Sequence, residues 1–150
     1  MKIVIATFNL GKLNEFKSLF KNSKFEVIAF SDFSSEDIEE TGKSYEENAL
    51  LKAKAAAKQT SLFTIGDDSG LEVSSLNNDP GLFSARYAGK GSTDEENISK
   101  LLKKIKLLKN SKAKFISTLA FYDPLKKIEL FSYGELYGCL LYTSDAADEG

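Results

Sequence analysis

The apolar run Leu62-Phe63-Thr64-Ile65 leads straight into Gly66-Asp67-Asp68-Ser69-Gly70. A short apolar run bounded by glycine predicts a buried strand. Two adjacent carboxylates then stand at its end. A strand end lies at the rim of a sheet, where open α/β sheets form their ligand crevices. Neighbouring negative charges raise each other's pKa unless a cation lies between them. Magnesium suits that position, because it takes one or two carboxylates together with substrate phosphates. An ordinary Asp-Ser-Gly turn satisfies the same residues, so this stretch alone leaves both readings open.

The rest of the chain restricts which chemistry is possible. With 150 residues, 42% hydrophobic and 28% charged, it is long enough for one domain with its own core. A net charge of -2 gives no global basic field for nucleic acid, so local lysines must hold any anionic ligand. There is no histidine, and Cys139 is the single cysteine. That excludes histidine-based triads, imidazole-ligated metals, an internal disulfide framework and cysteine-rich zinc sites. Carboxylates and lysines remain. No apolar run is long enough to span a bilayer, and Met1 to Ala6 is too short for a signal peptide. The expectation is a cytoplasmic protein with no nucleic-acid and no membrane partner.

Ile3 to Thr7 predicts a strand buried on both faces. Thr7-Phe8-Asn9-Leu10-Gly11-Lys12 breaks it, and a helix follows with Leu13, Phe16, Leu19 and Phe20 on one face. Lys12 falls in the first turn, where unpaired N–H groups and the helix dipole favour anions. A cation there predicts an anion to offset it; a solvated surface lysine is the alternative. The spacing is not that of a Walker P-loop. Phe25 to Phe30 predicts a second strand. The acidic loop Ser31 to Thr41 ends in Glu39-Glu40-Thr41-Gly42, from which one carboxylate could turn inward to share a metal with Asp68.

Ser44 and Glu47 have capping-box spacing and open an alanine-rich helix to about Gln59. Asn48 and Lys52 share a face of it, and Lys52 could meet the same phosphates as Lys12. Lys54 and Lys58 are expected to be solvated. Leu71-Glu72-Val73 reads as a separate extended piece, and Asn77-Asn78-Asp79-Pro80-Gly81 as a turn. Thr93 and Glu96 form a second capping box. It opens a helix with Ile98, Leu101, Leu102 and Ile105 on one face. Phe115 to Tyr122 and Ile128 to Tyr133 predict a hairpin about Asp123-Pro124. Early alternation of strands and helices with two late paired strands predicts an α/β fold, a mixed central β-sheet flanked by helices.

The ordered set Thr7 to Lys12, Glu39-Glu40-Thr41-Gly42 with Glu47-Asn48-Ala49, Lys52-Ala53, Asp67-Asp68-Ser69-Gly70-Leu71, and Pro80-Gly81 with Ser84-Ala85-Arg86-Tyr87-Ala88-Gly89 resembles the inosine/xanthosine triphosphate pyrophosphatases. The likeness covers roughly the first 135 residues. It implies Mg2+-dependent hydrolysis of ITP, dITP and XTP, purine nucleoside triphosphates, to monophosphate and pyrophosphate, by a homodimer when complete. It implies that Thr7, Phe8, Asn9, Leu10, Gly11, Lys12 and Ser69 contact the nucleotide. It further implies that Glu40 and Asp68 hold the metal and that Asp68 accepts the proton of the attacking water. Lys52 is expected beside the phosphates. Phosphoryl chemistry is mostly positioning and charge neutralisation, which these residues supply without histidine.

Two departures from the family stand out. Phe8 replaces the usual glycine, and its ring either crowds the triphosphate or packs on the helix. The family's later Gly-Phe-Gly-Tyr-Asp-Pro segment, lysine and Ser-His-Arg, which select the base, are not in this chain. Residues 1–138 are expected to form the pyrophosphatase domain, incomplete at the C-terminus, and 139–150 a disordered tail foreign to the family. On that reading the 150-residue chain is weak or inactive. A Maf-like nucleotide pyrophosphatase and a non-catalytic nucleotide-binding module are the alternatives.

Overall fold

The computed structural model describes residues 1–106 and 111–140. In chain order the elements are β1 (Lys2–Ile5), α1 (Leu10–Leu19), β2 (Glu26–Ala29), α2 (Tyr45–Thr60), β3 (Phe63–Val73), β4 (Asp79–Pro80), α3 (Asp94–Ile105), β5 (Ser111–Asp123) and β6 (Ile128–Leu140). Short 3-10 turns cover Phe30–Asp32, Ser74–Leu76 and Gly81–Arg86. The six-stranded sheet has the order β2-β1-β3-β5-β6, with β4 on β3. β1 runs parallel to β2 and β3, whereas β4 is antiparallel to β3. The sheet is therefore mixed, as the alternation of elements predicts. The chain divides into two compact units, one of residues 1–68 with 118–133 and one of 69–117 with 134–150.

The first unit is built on β1. Ile3 and Ile5 pack with Leu13 and Phe16 of α1, while Val4 packs with Phe30 and with Ala56 of α2. Successive side chains of a strand point to opposite faces, so a strand covered on both sides must be apolar throughout. Ala49 and Ala53 of α2 meet Ala120 of β5. Small residues let the helix come close, and Thr64 Oγ1 donates to Ala53 O at 2.7 Å. At Gly66 the approach is closer still. A Cβ there would stand 2.0 Å from Ala49 O and 2.7 Å from Ala53 N, so only glycine leaves room for the helix.

Several sequence expectations change in this unit. The acidic pair is neither at a strand end nor in a turn. β3 continues through Asp67 and Asp68 to Val73 and absorbs the extended piece Leu71-Glu72-Val73. Pairing of β1 with β3 stops at Ile5 and Ile65, so both carboxylates lie past the C-terminal end of β1. The strand that ends beside the acidic pair is β1, not the expected β3, which overruns it. Leu19 is exposed, because α1 ends there and Phe20 is already its C-cap. Glu47 accepts from Lys43 N–H at 2.7 Å rather than from Ser44, so only the Ser44 half of that capping box forms. Lys54 reaches Glu129 at 3.2 Å and lies over the Tyr122 ring. Asp123 accepts from the Leu125 and Lys126 N–H groups, which makes the turn between β5 and β6.

In the second unit, Asn77 and Asn78 adopt φ of 54° and 67° before β4, the left-handed turn geometry that Asn tolerates. Thr93 and Glu96 form the complete capping box of α3. The predicted apolar face is only partly inward: Ile105 is buried but Ile98 is exposed. Asn97 takes the inward position instead. Its Oδ1 accepts from Ala88 N–H and Ser92 Oγ, and its Nδ2 donates to Ala85 O. Satisfying that buried amide sets the helix rotation. β6 is exposed along almost its whole length and extends to Leu140. Cys139 and Leu140, expected in the tail, are thus strand residues, and the remainder of that tail, 141–150, lies outside the described residues.

Candidate active site

The site residues of the first unit arrive from four places. Asn9 caps α1, its Oδ1 accepting from Lys12 N–H at 3.0 Å, and Thr7 Oγ1 accepts from Asn9 N–H at 3.1 Å. The polar turn is therefore fastened by its own side chains. Leu10 and Gly11 are exposed in the first turn of α1. The Phe8 ring turns into the core, edge-on to Phe30 with centroids 5.9 Å apart. Of the two fates expected for that ring, packing is the one observed, although its partner is Phe30.

Lys12 is not a free surface lysine. Its Nζ donates to Asp67 Oδ2 at 2.6 Å, which supplies the anion that a first-turn cation needs. Lys52, one turn after Asn48 on α2, donates to Asp67 O at 3.0 Å and pairs with Glu40 Oε1 at 2.7 Å. The two lysines thus meet at one residue, one on its carboxylate and one on its carbonyl. Glu40 comes from the acidic loop, as expected of one of its carboxylates. Asp68 is buried and its Oδ2 accepts from Asn48 Nδ2 at 3.1 Å. Ser69 is the next residue of β3, half-buried, and belongs to the second unit.

Burial disfavours the Lys52 ammonium, but the bond to Glu40 and the charges of Glu40, Asp67 and Asp68 outweigh it and raise its pKa above 10.5. Lys52 is therefore a fixed cation among three carboxylates. Those oxygens are hard donors with no imidazole or thiolate among them, which fits a hard cation of the Mg2+ type. Among the described residues no group of three or more His, Cys, Asp or Glu is placed to hold an ion alone. Two carboxylates completed by phosphate and water oxygens match the usual magnesium arrangement.

Sequence reasoning places Asp67 in the carboxylate pair but not opposite Lys12, and it assigns Asn48 no role in the site. Asp67 carried a signal, since a lysine in a helix's first turn favours a nearby anion. Asn48 carried a weaker one, an amide beside the small residues of a helix face that packs on a sheet. A cavity of about 510 Å³ in the second unit, lined partly by Glu72, Lys112, Lys114 and Tyr137, contains none of the expected residues.

Fold and cluster together define an α/β protein whose paired lysines and carboxylates suit a polyphosphate. The chain belongs to the Ham1 family, whose model matches residues 3–149. It is 48% identical over 130 residues to a dITP/XTP pyrophosphatase of Staphylococcus epidermidis, covering 86% of this chain and 66% of that protein. A dITP/XTP pyrophosphatase of Staphylococcus aureus is 45% identical over 131 residues, with 87% and 66% covered. The match therefore spans slightly under two thirds of each relative's length. Among solved structures, a HAM1 protein of Coxiella burnetii superposes with TM-score 0.81 at 39% identity, covering 92% of this chain and 72% of that one. The Staphylococcus aureus Ham1 protein gives TM-score 0.79 at 43% identity, with 92% and 71% covered.

Proposed function

We propose that this protein hydrolyses inosine, deoxyinosine and xanthosine triphosphates to the monophosphate and pyrophosphate, with Mg2+ as its metal. The observation that carries this reading is the meeting of Lys12 and Lys52 on Asp67, with Glu40 bound to Lys52 and with Asp68 adjacent on β3. The names of the relatives supply the substrate class.

In this reading Lys12, Lys52 and the N-terminus of α1 receive the triphosphate, since ammonium groups and first-turn N–H groups both favour phosphate. The segment Thr7 to Lys12 lies along it, and Ser69 contacts the substrate. Glu40 and Asp68 would hold Mg2+, which would supply charge neutralisation for the phosphates. Asp68 takes the proton from a water whose oxygen bonds to the α-phosphorus as the bond to the bridging oxygen breaks. Lys12 stabilises the charge that develops on the leaving group. The same reading makes the protein cytoplasmic, and a homodimer when complete. Among the described residues no helix is long and apolar enough to cross a membrane.

Incubation with ITP, dITP, XTP, ATP and GTP, with products resolved by ion exchange, tests the proposal. The expected result is monophosphate and pyrophosphate from the first three, at the weak rate expected of these 150 residues, abolished by a chelator and restored by Mg2+. Release of orthophosphate, or a preference for ATP or GTP, refutes it.

A further inference from the structure

The geometry points to Asn48 as the positioning residue that holds the Glu40 loop and Asp68 in one frame, an inference that rests on the metal-binding part of the reading above. Asn48 is wholly buried at the start of α2. Its Oδ1 accepts from Gly42 N–H at 2.7 Å, and its Nδ2 donates to Asp68 Oδ2 at 3.1 Å. Gly42 lies two residues after Glu40. One amide therefore joins the backbone that presents Glu40 to the carboxylate of Asp68.

The chemistry of the two partners selects the side chain. A backbone N–H needs an acceptor and a carboxylate needs a donor, so the amide has only one productive orientation. Aspartate of the same size only accepts, and leucine does neither. Gly42 comes so close that a Cβ there would stand 2.7 Å from Asn48 Oδ1, which keeps the loop backbone against the amide. The helix holds the amide from behind, because the Asn48 N–H donates to Ser44 O at 3.1 Å. Breaking either bond leaves a buried polar group without its partner. It also releases the rotation of Asp68 or the position of the loop, so the pair no longer presents its oxygens together. Groups that orient metal ligands in this way typically change metal affinity 10–100-fold when replaced.

Calorimetric titration of the full chain with Mn2+, on the natural protein and on Asn48→Leu and Asn48→Ser, tests this beside thermal melts and ITP turnover. Both variants are expected to weaken Mn2+ binding roughly 10–100-fold. A folded variant that binds Mn2+ within about threefold of the natural chain overturns the inference. A purely structural amide would lower the melting temperature and leave the affinity unchanged. Should both variants fail to fold, the Asn48 side-chain amide resonances of the natural chain decide. They are expected to shift as Mg2+ is added, and resonances that stay fixed overturn the inference. Turnover without Mn2+ binding refutes the role of Asn48 and leaves hydrolysis standing. Mn2+ binding that depends on Asn48, without turnover, supports that role and refutes the proposed hydrolysis.

Discussion

Lys12 Nζ lies 2.6 Å from Asp67 Oδ2, across 55 positions of sequence. The pairing ties the first turn of α1 to β3 and leaves Lys12 partly open to solvent, while the Asp67 carboxylate is buried. An ammonium held this way is pre-placed: an arriving polyanion needs no ordering of a free lysine.

Asp67→Asn removes that anchor. Because Lys12 can swing into water, the loss of stability is expected to be small, about 1 kcal/mol, or about 2–4 °C in Tm. Nucleotide binding should weaken more than stability does. A double-mutant cycle with Lys12→Met checks this, and strict additivity of the two changes counts against the pairing.

Lys52 predicts a pH response. Burial opposes its charge, yet Glu40, Asp67 and Asp68 together raise its pKa above 10.5. A group with a raised folded pKa contributes stability fully below its unfolded value and loses it as pH rises through the folded one. Its contribution is therefore level at neutral pH and falls only above about pH 10.5. Lys52→Met should flatten that alkaline decline, while leaving buried carboxylates without their cation at pH 7. Melting curves from pH 7 to the alkaline limit compare the two chains, and an identical decline in both counts against this assignment.

Gly66→Ala tests the contact between α2 and β3. The added methyl would meet Ala49 O at 2.0 Å and Ala53 N at 2.7 Å. Both are backbone atoms and cannot rotate away, so the helix must move. The expected cost is about 3 kcal/mol, the upper range for overpacking. Denaturant unfolding measures it, and a change below about 1 kcal/mol would show that α2 shifts freely.

Phe8→Gly restores the residue usual at this position in the family the sequence resembles. It removes the edge-to-face contact with Phe30 and part of the surrounding apolar cluster. Half-burial of the ring and one aromatic pair together predict a loss of about 2 kcal/mol. Because the ring points into the core, KM for the nucleotide should change little. A sharp fall in KM would mean that the ring crowds the ligand after all.

Legibility in the sequence followed the range of the interaction. Ser44 and Thr93 stood where helices begin, since a cap is satisfied within three residues of itself. Because burial of alternating faces leaves no polar position, the run Ile3 to Thr7 announced a strand covered on both sides, which the structure ends at Ile5. The exposure of Ile98 was not legible, since the rotation of α3 answers to Asn97, which bonds Ala88 N–H and Ala85 O in the preceding loop, outside the helical repeat.

The sequence alone determined the materials of the site: lysines and carboxylates without histidine, in an order that carries a family likeness. It also showed that a first-turn lysine would be favoured by a nearby anion, with a solvated lysine as the alternative. Which carboxylate answers it was decided by tertiary structure. β3 continues past the end of β1 and carries Asp67 to Lys12 and Asp68 to Asn48. Strand pairing and the close fit of α2 over Gly66 set that reach, and both act between segments far apart in the chain, where local pattern carries no information.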